Sequence, residues 1–213
     1  QIAMRFNMPN SVIGATFIGF GTSAPELFAS SGAALNGNLS LGIGNIIGSN
    51  IANSLVAISV LYFALNKDFQ KKLNLNNTSP LWMVVVTILF VAVYLAFSEF
   101  PLWLGITLLA LVVFITYKLV TEEAIDQEDL LIEEKEHIWL RAIGSLTATV
   151  LGSTLVVNNA VSLAEYFNIS SIIIGVTVVA LGTSLPEVAG TIAAAKMKNP
   201  DIVLGNIFGS NLF

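Results

Sequence analysis

The sequence predicts an all-α transmembrane protein made of two related halves. Three observations carry that prediction: an apolar composition, apolar runs of spanning length between short polar breaks, and one motif that returns 161 residues later. The 213 residues are 55% hydrophobic and only 11% charged, with a mean hydropathy of +0.81. A water-soluble domain carries roughly 25% charged residues, so the expected solvent is a bilayer. With no cysteine, disulfide frameworks, thiolate metal sites and thiol redox chemistry are excluded. The net charge of -5 is local, because eight of the 14 acids lie between Glu122 and Glu136. The rest of the chain is slightly positive, and nothing in it suggests nucleic-acid binding.

Runs able to cross a hydrocarbon core of about 30 Å are read near 11–35, 41–65, 80–97, 101–120, 138–160 and 170–195. A seventh begins near Asp201, giving about six complete spans with partial ends. The opening "QIAMRFNMPN" lacks the order of a signal peptide and is read as the end of something that began earlier. All nine Lys and Arg fall in alternate breaks: Arg5; Lys67, Lys71 and Lys72; Lys118, Lys135 and Arg141; Lys196 and Lys198. The breaks Asn36–Ser40, Ser98–Pro101 and Asn159–Asn168 have none, so the basic breaks are expected on the cytoplasmic side. The expected division is a first half over 1–120, an acidic cytoplasmic linker over 121–137, and a second half over 138–213.

The halves repeat. Shifted by 161 residues, Ser11–Asn50 falls on Ile172–Asn211 with 17 of 40 positions identical and no gap. Five spans, an odd number, separate the copies, so the second enters from the opposite face of the membrane. Inverted-topology repeats of this kind build many secondary transporters, whose ion sites lie near the midplane between the copies.

"GFGTSAPELF" (19–28) and "LGTSLPEVAG" (181–190) place Glu26 and Glu187 inside spans. Glu26 is some ten residues, about 15 Å, from the nearer end of its span. An acid there costs roughly 2.5–3.5 kcal/mol on insertion scales. No Lys or Arg lies near the middle of a span, so the remaining partners are protons or metal cations. Pro25 and Pro186 argue for metal cations. Each proline removes a helical donor and releases the carbonyl four residues back, at Gly21 and Gly182, and such carbonyls are hard oxygen ligands. Thr22 and Thr183 stand four residues before the glutamates, which predicts a shared helical face. Oxygen ligands with two negative charges suit Ca²⁺ and also Na⁺.

"GIGNIIGSNIAN" (42–53) spaces Asn45, Ser49 and Asn53 along one face, and "VLGNIFGSNLF" (203–213) repeats the first two as Asn206 and Ser210. Gly44 and Gly48, like Gly205 and Gly209, form G-x-x-x-G for close helix approach. Packing alone accounts for this segment when it is taken in isolation. The same 23-residue Thr-to-Asn spacing beside a glutamate in both halves favours a site.

"GTSAPE" with "GNIIGSN", and "GTSLPE" with "GNIFGSN", resemble the two alpha repeats of the calcium/cation antiporter superfamily, specifically its sodium/calcium exchangers. The resemblance covers 11–53 and 172–213. It implies two inverted repeats of five helices each in the full protein, of which this chain looks like a fragment. It also implies that Glu26 and Glu187 are the central ion ligands, with Thr22, Ser23, Ser49, Asn53, Thr183, Ser184 and Ser210 completing the set and Asn45 and Asn206 as further candidates. The counterpart of Asn53 would be residue 214, a position that bears on potassium dependence in the family. The expected activity is exchange of Ca²⁺ for Na⁺ by alternating access. Both ions are cargo, no tightly bound cofactor is expected, and lipid is the expected partner. The proton-coupled branch of the superfamily tends to carry Gly-Asn-x-x-Glu where this chain has Gly-Thr-Ser-x-Pro-Glu, which favours sodium coupling. The short linker points, by resemblance, to a bacterial or archaeal plasma membrane.

Other features read more plainly. The acidic run Thr121–His137 lacks the loop pattern of an EF-hand and is expected to be a solvated linker, with His137 a surface residue. Trp82, Trp103 and Trp139 lie near span ends, as an aromatic belt predicts. No phosphate loop, nucleotide fingerprint or catalytic triad is present, so an enzyme is not expected. A proton-coupled antiporter and a cation channel remain as alternatives, the channel disfavoured by the inverted broken helices.

Overall fold

The computed structural model describes residues 18–57, 59, 62, 79–97, 101–122, 138–196 and 200–212, and every regular element among them is helical. The first motif makes two pieces, α1 (Gly19–Thr22) and α2 (Ala24–Leu35). Next, α3 (Leu39–Ala52) returns beside α2 and widens into a π-turn at Asn53–Ala57. Three longer helices follow: α4 (Ser79–Ala96), α5 (Leu102–Glu122) and α6 (Ile138–Tyr166). The second motif runs through α7 (Ser171–Ile174), a π-turn at Gly175–Val179, α8 (Ala180–Thr183) and α9 (Leu185–Lys196). Finally α10 (Pro200–Leu212) packs back on α9.

The two breaks have one cause. Ser23 (φ -78°, ψ 2°) and Ser184 (φ -81°, ψ 0°) leave helical geometry two residues before Pro25 and Pro186. Proline has no N–H for the carbonyl four residues back, but its fixed φ suits the first turn of a new helix, where no donor is needed. The chain therefore ends one helix and starts another. Between α2 and α3, Gly37 takes φ +76° and Asn38 caps α3 by accepting from Leu41 N–H at 3.2 Å. Only glycine adopts that φ without strain, which fixes the tight reversal.

Burial is inside-out relative to a water-soluble protein. Glu187, Asn206, Thr191, Thr183 and Asn45 are at most 1% exposed, whereas Leu102, Leu95 and Leu140 are more than 70% exposed. Polar groups inside and leucines outside are what a bilayer solvent selects. The run Ser171–Lys196 is long and apolar enough to cross a membrane, and shorter apolar helices cover Leu81–Ala96 and Leu102–Lys118.

The glycines set the packing distance. A Cβ on Gly44 would lie 2.7 Å from the Ile172 carbonyl oxygen, and one on Gly175 would lie 2.5 Å from that of Leu41. A Cβ on Gly48 would overlap Val176 and Ala180. Thus α3 of the first half lies directly on the second motif helix, while α10 packs on α1 in the reciprocal contact. From Ile202 to Leu212, α10 is buried on all sides, and Leu212 meets Ile115 and Trp82.

One expected boundary moves. The run expected to end near residue 160 continues as helix to Tyr166, past Asn158 and Asn159. Asn159 donates to the Leu155 carbonyl at 2.7 Å and Ser162 to that of Asn158 at 3.0 Å, so these polar side chains are satisfied by the helix itself. The turn comes at Phe167–Ser170, where Asn168 adopts φ 56°. Lys118 lies in the last turns of α5 and Arg141 in the first turn of α6, at helix ends rather than in connections. The Lys118 ammonium sits 5.6 Å over the Trp82 ring. Trp103 meets Phe97 edge to face. Most of the acidic linker, including His137, lies outside the described residues.

Candidate cation site

The two breaks, α3 and α10 converge on one buried cluster. Ser23 donates its hydroxyl to Glu187 Oε1 at 3.1 Å, and Ser184 donates to Glu26 Oε1 at 3.1 Å. Each break serine therefore serves the carboxylate of the other half. Glu187 is fully buried and Glu26 partly so. In both carboxylates the second oxygen, Oε2, is buried without a hydrogen-bond partner, and so is Asn53 Oδ1.

The asparagines tie these parts together. Asn45 accepts from the Thr183 hydroxyl at 3.1 Å, and its Nδ2 donates to Ser30 Oγ at 2.9 Å and to the Glu26 carbonyl at 3.4 Å. The symmetry-related set is present in the other half. Asn206 accepts from Thr22 at 3.4 Å, and its Nδ2 donates to Thr191 Oγ1 at 3.3 Å and to the Glu187 carbonyl at 3.2 Å. Shifting either set by 161 residues gives the other. An asparagine used at both ends holds neighbouring backbone in place, because both its donors and its acceptor are spoken for.

The structure brings all the sequence-derived candidates into this region. Asn45, Ser49 and Asn53 share one buried face of α3 and its C-cap. Ser49 donates to the Ile46 carbonyl at 3.0 Å. Ser210 lies 3.3 Å from Thr22 Oγ1 and donates to the Gly19 carbonyl at 3.4 Å. Thr22 and Glu26 fall on opposite sides of a one-residue break, in α1 and α2, as Thr183 and Glu187 do in α8 and α9. Thr22 bonds back to the Ile18 carbonyl at 3.0 Å while facing Asn206 and Ser210.

Ser30 and Thr191, which the motif reading passed over, are the hydroxyls that anchor Asn45 and Asn206. They are related by the same shift of 161, hydroxyl for hydroxyl, and a search for similar rather than identical pairs finds them. Asn211 and Ser54 were passed over as well.

Chemically the cluster offers carboxylate, amide and hydroxyl oxygens. No group of three or more His, Cys, Asp or Glu side chains occurs among the described residues. Such an oxygen set fits hard cations. A cavity of about 730 Å³ between α2 and α6 reaches from Pro25 and Thr183 to Asn36 and Glu165 near the ends of those helices.

A buried oxygen cluster between two broken helices, in a helical protein with an apolar exterior, defines an ion-handling membrane protein. Comparison with known proteins specifies the family. The sodium/calcium exchanger protein family matches residues 1–120 and 137–213. Inner membrane protein YrbG of Escherichia coli (strain K12) is 32% identical, the alignment covering 100% of this chain and 68% of that protein. Sodium/calcium exchanger MaX1 of Methanosarcina acetivorans is 27% identical, over 99% of this chain and 72% of that protein. Among solved structures, the sodium-calcium exchanger NCX_Mj soaked with 2.5 mM Na⁺ and 0.1 mM Ca²⁺ superposes with a TM-score of 0.67 at 31% identity, covering 99% of this chain and 69% of that one. The chain belongs to the sodium/calcium exchanger family of membrane antiporters.

Proposed function

We propose that the protein exchanges Ca²⁺ for Na⁺ by alternating access, both ions competing for one site between two inverted halves. The observation that carries this reading is the trio of buried oxygens without partners, Glu26 Oε2, Glu187 Oε2 and Asn53 Oδ1. A buried carboxylate oxygen in a membrane needs a positive partner, and the described spans place no Lys or Arg beside these two. A cation supplies the charge. Glu26 and Glu187 would bind it directly, with Asn53 and the hydroxyls of Thr22, Ser23, Ser49, Thr183, Ser184 and Ser210 as neutral ligands. Asn45 and Asn206, engaged at both ends of their amides, would hold the ligands in place rather than coordinate.

Exchange rather than leak follows from charge. An ion-loaded site carries little net charge through the change of face, whereas an empty one would expose two carboxylates to low dielectric. The two halves, 1–120 and 138–213, would form the moving repeats, with the acidic linker 121–137 on the cytoplasmic side. The alternating positive charges support that orientation, and the bacterial and archaeal relatives support a plasma-membrane location.

The test is Ca²⁺ uptake into proteoliposomes of the full-length protein. Vesicles loaded with Na⁺ take up Ca²⁺ and K⁺-loaded vesicles do not. Uptake driven only by an imposed pH gradient would replace sodium coupling by proton coupling, and uptake with no counter-ion would mean a channel.

A further inference from the structure

Asn53 is held from outside the ion ligands. Its Nδ2 donates to Asn211 Oδ1 at 3.0 Å, while its own Oδ1 is the buried oxygen without a partner. Asn211, on α10, is in turn fixed by its Nδ2. That group lies 3.1 Å from Ser54 Oγ, 3.4 Å from the Asn50 carbonyl and 3.4 Å from Met83 Sδ on α4. Two amide hydrogens are thus shared among three acceptors, and the side chain has no freedom to turn.

The placement matters because α3 widens into its π-turn at Asn53. Such turns loosen the local backbone and recur at functional sites. Asn53 therefore sits at the least regular point of its helix. If its amide rotated by half a turn, Nδ2 would take the place of the unpartnered Oδ1, and a donor would stand where the proposed site requires a cation ligand. Asn211 prevents this, since its Oδ1 accepts a bond from Nδ2 and cannot accept one from Oδ1.

Under the shift of 161 Asn211 corresponds to Asn50, whose main-chain carbonyl is one of the acceptors that Asn211 Nδ2 reaches.

We propose that Asn211 is a positioning residue that sets the amide orientation of Asn53, and through it the affinity of the site for Ca²⁺. The inference rests on the proposed cation site. Asn211 touches no ion in this arrangement; it acts on one ligand from the far side, and Met83 connects that control to α4.

The experiment measures Ca²⁺ binding by titration calorimetry, and Na⁺-driven Ca²⁺ uptake, for the full-length protein and for Asn211→Leu, Asn53→Ala and the double variant. Asn211→Leu is expected to weaken Ca²⁺ binding about tenfold, as loss of a group that orients a metal ligand commonly does. It should raise the KM for Ca²⁺ with little change in maximal rate. The double variant should bind no more weakly than Asn53→Ala alone, because Asn211 acts only through Asn53. Unchanged affinity in Asn211→Leu, or losses that multiply in the double variant, would overturn the inference while leaving the cation site standing. Absence of Ca²⁺ binding by the unmutated protein would remove both. Should Asn211→Leu fail to fold, Asn211→Ala provides the comparison, since it removes the acceptor for Asn53 Nδ2 without adding bulk or charge. It is expected to fall between the unmutated protein and Asn53→Ala, and an affinity equal to the unmutated protein's would overturn the proposal.

Discussion

The substitution Gly44→Ala tests whether close approach of α3 to the second motif helix is what assembles the site. A Cβ on Gly44 would stand 2.7 Å from the Ile172 carbonyl oxygen and 3.1 Å from both Gly175 Cα and Val176 N. All three neighbours are backbone, so no side chain can rotate away. Ordinary contact begins at about 3.4 Å, so α3 must retreat by about 0.7 Å. The hydrogen bond from Thr183 to Asn45, now 3.1 Å, would open to about 3.8 Å, too long to count as a hydrogen bond. Overpacking of this kind costs about 1–3 kcal/mol. The expected outcome is a protein that inserts into the membrane, melts at lower temperature and loses most Na⁺-driven Ca²⁺ uptake. Gly105→Ala, where nothing lies within 4 Å, is the control and should behave as the unmutated protein. Unmutated melting and flux in Gly44→Ala would refute the claim that glycine spacing sets the site.

Three other outcomes follow from the site. Glu26→Gln and Glu187→Gln should each abolish Ca²⁺ exchange in proteoliposomes while expression and membrane insertion persist; normal flux in either would remove that residue from the site. Ser23→Ala and Ser184→Ala each delete a hydroxyl donor to the opposite carboxylate, a charge-assisted bond worth about 1.5–3 kcal/mol. Calorimetry should show Ca²⁺ affinity reduced about tenfold or more in each, and equal affinities would show that the serines do not serve the carboxylates. Asn45→Ala strips the Thr183 hydroxyl and the Glu26 carbonyl of a shared partner, with an expected loss of about 1–3 kcal/mol in stability. Thermal unfolding in detergent reads it out, and an unchanged melting temperature would contradict the clamping role.

Membrane residence, the approximate helices and the chemical type of the site were legible in the sequence because each rests on local rules. Apolar runs separated by short breaks mark helices in a bilayer, and a proline inside such a run removes a helical donor wherever it stands. The repetition of Thr22–Glu26 at Thr183–Glu187 made the pair visible as a repeated unit. The lower edge of α6 was misplaced because Asn158 and Asn159 read as a polar break, although the helix continues past them and the Asn159 side chain bonds back to the Leu155 carbonyl.

What only the tertiary structure decided is which half serves which carboxylate. Spacing along one chain placed Thr22 beside Glu26, whereas in space Ser23 donates to Glu187, Ser184 donates to Glu26, and Asn45 accepts from Thr183. The reason is physical. Each break serine bonds the glutamate of the other half, and Gly44, Gly48 and Gly175 let the two halves approach closely. Local sequence specifies the breaks and the donors; the meeting of two surfaces shaped by missing side chains determines how they pair.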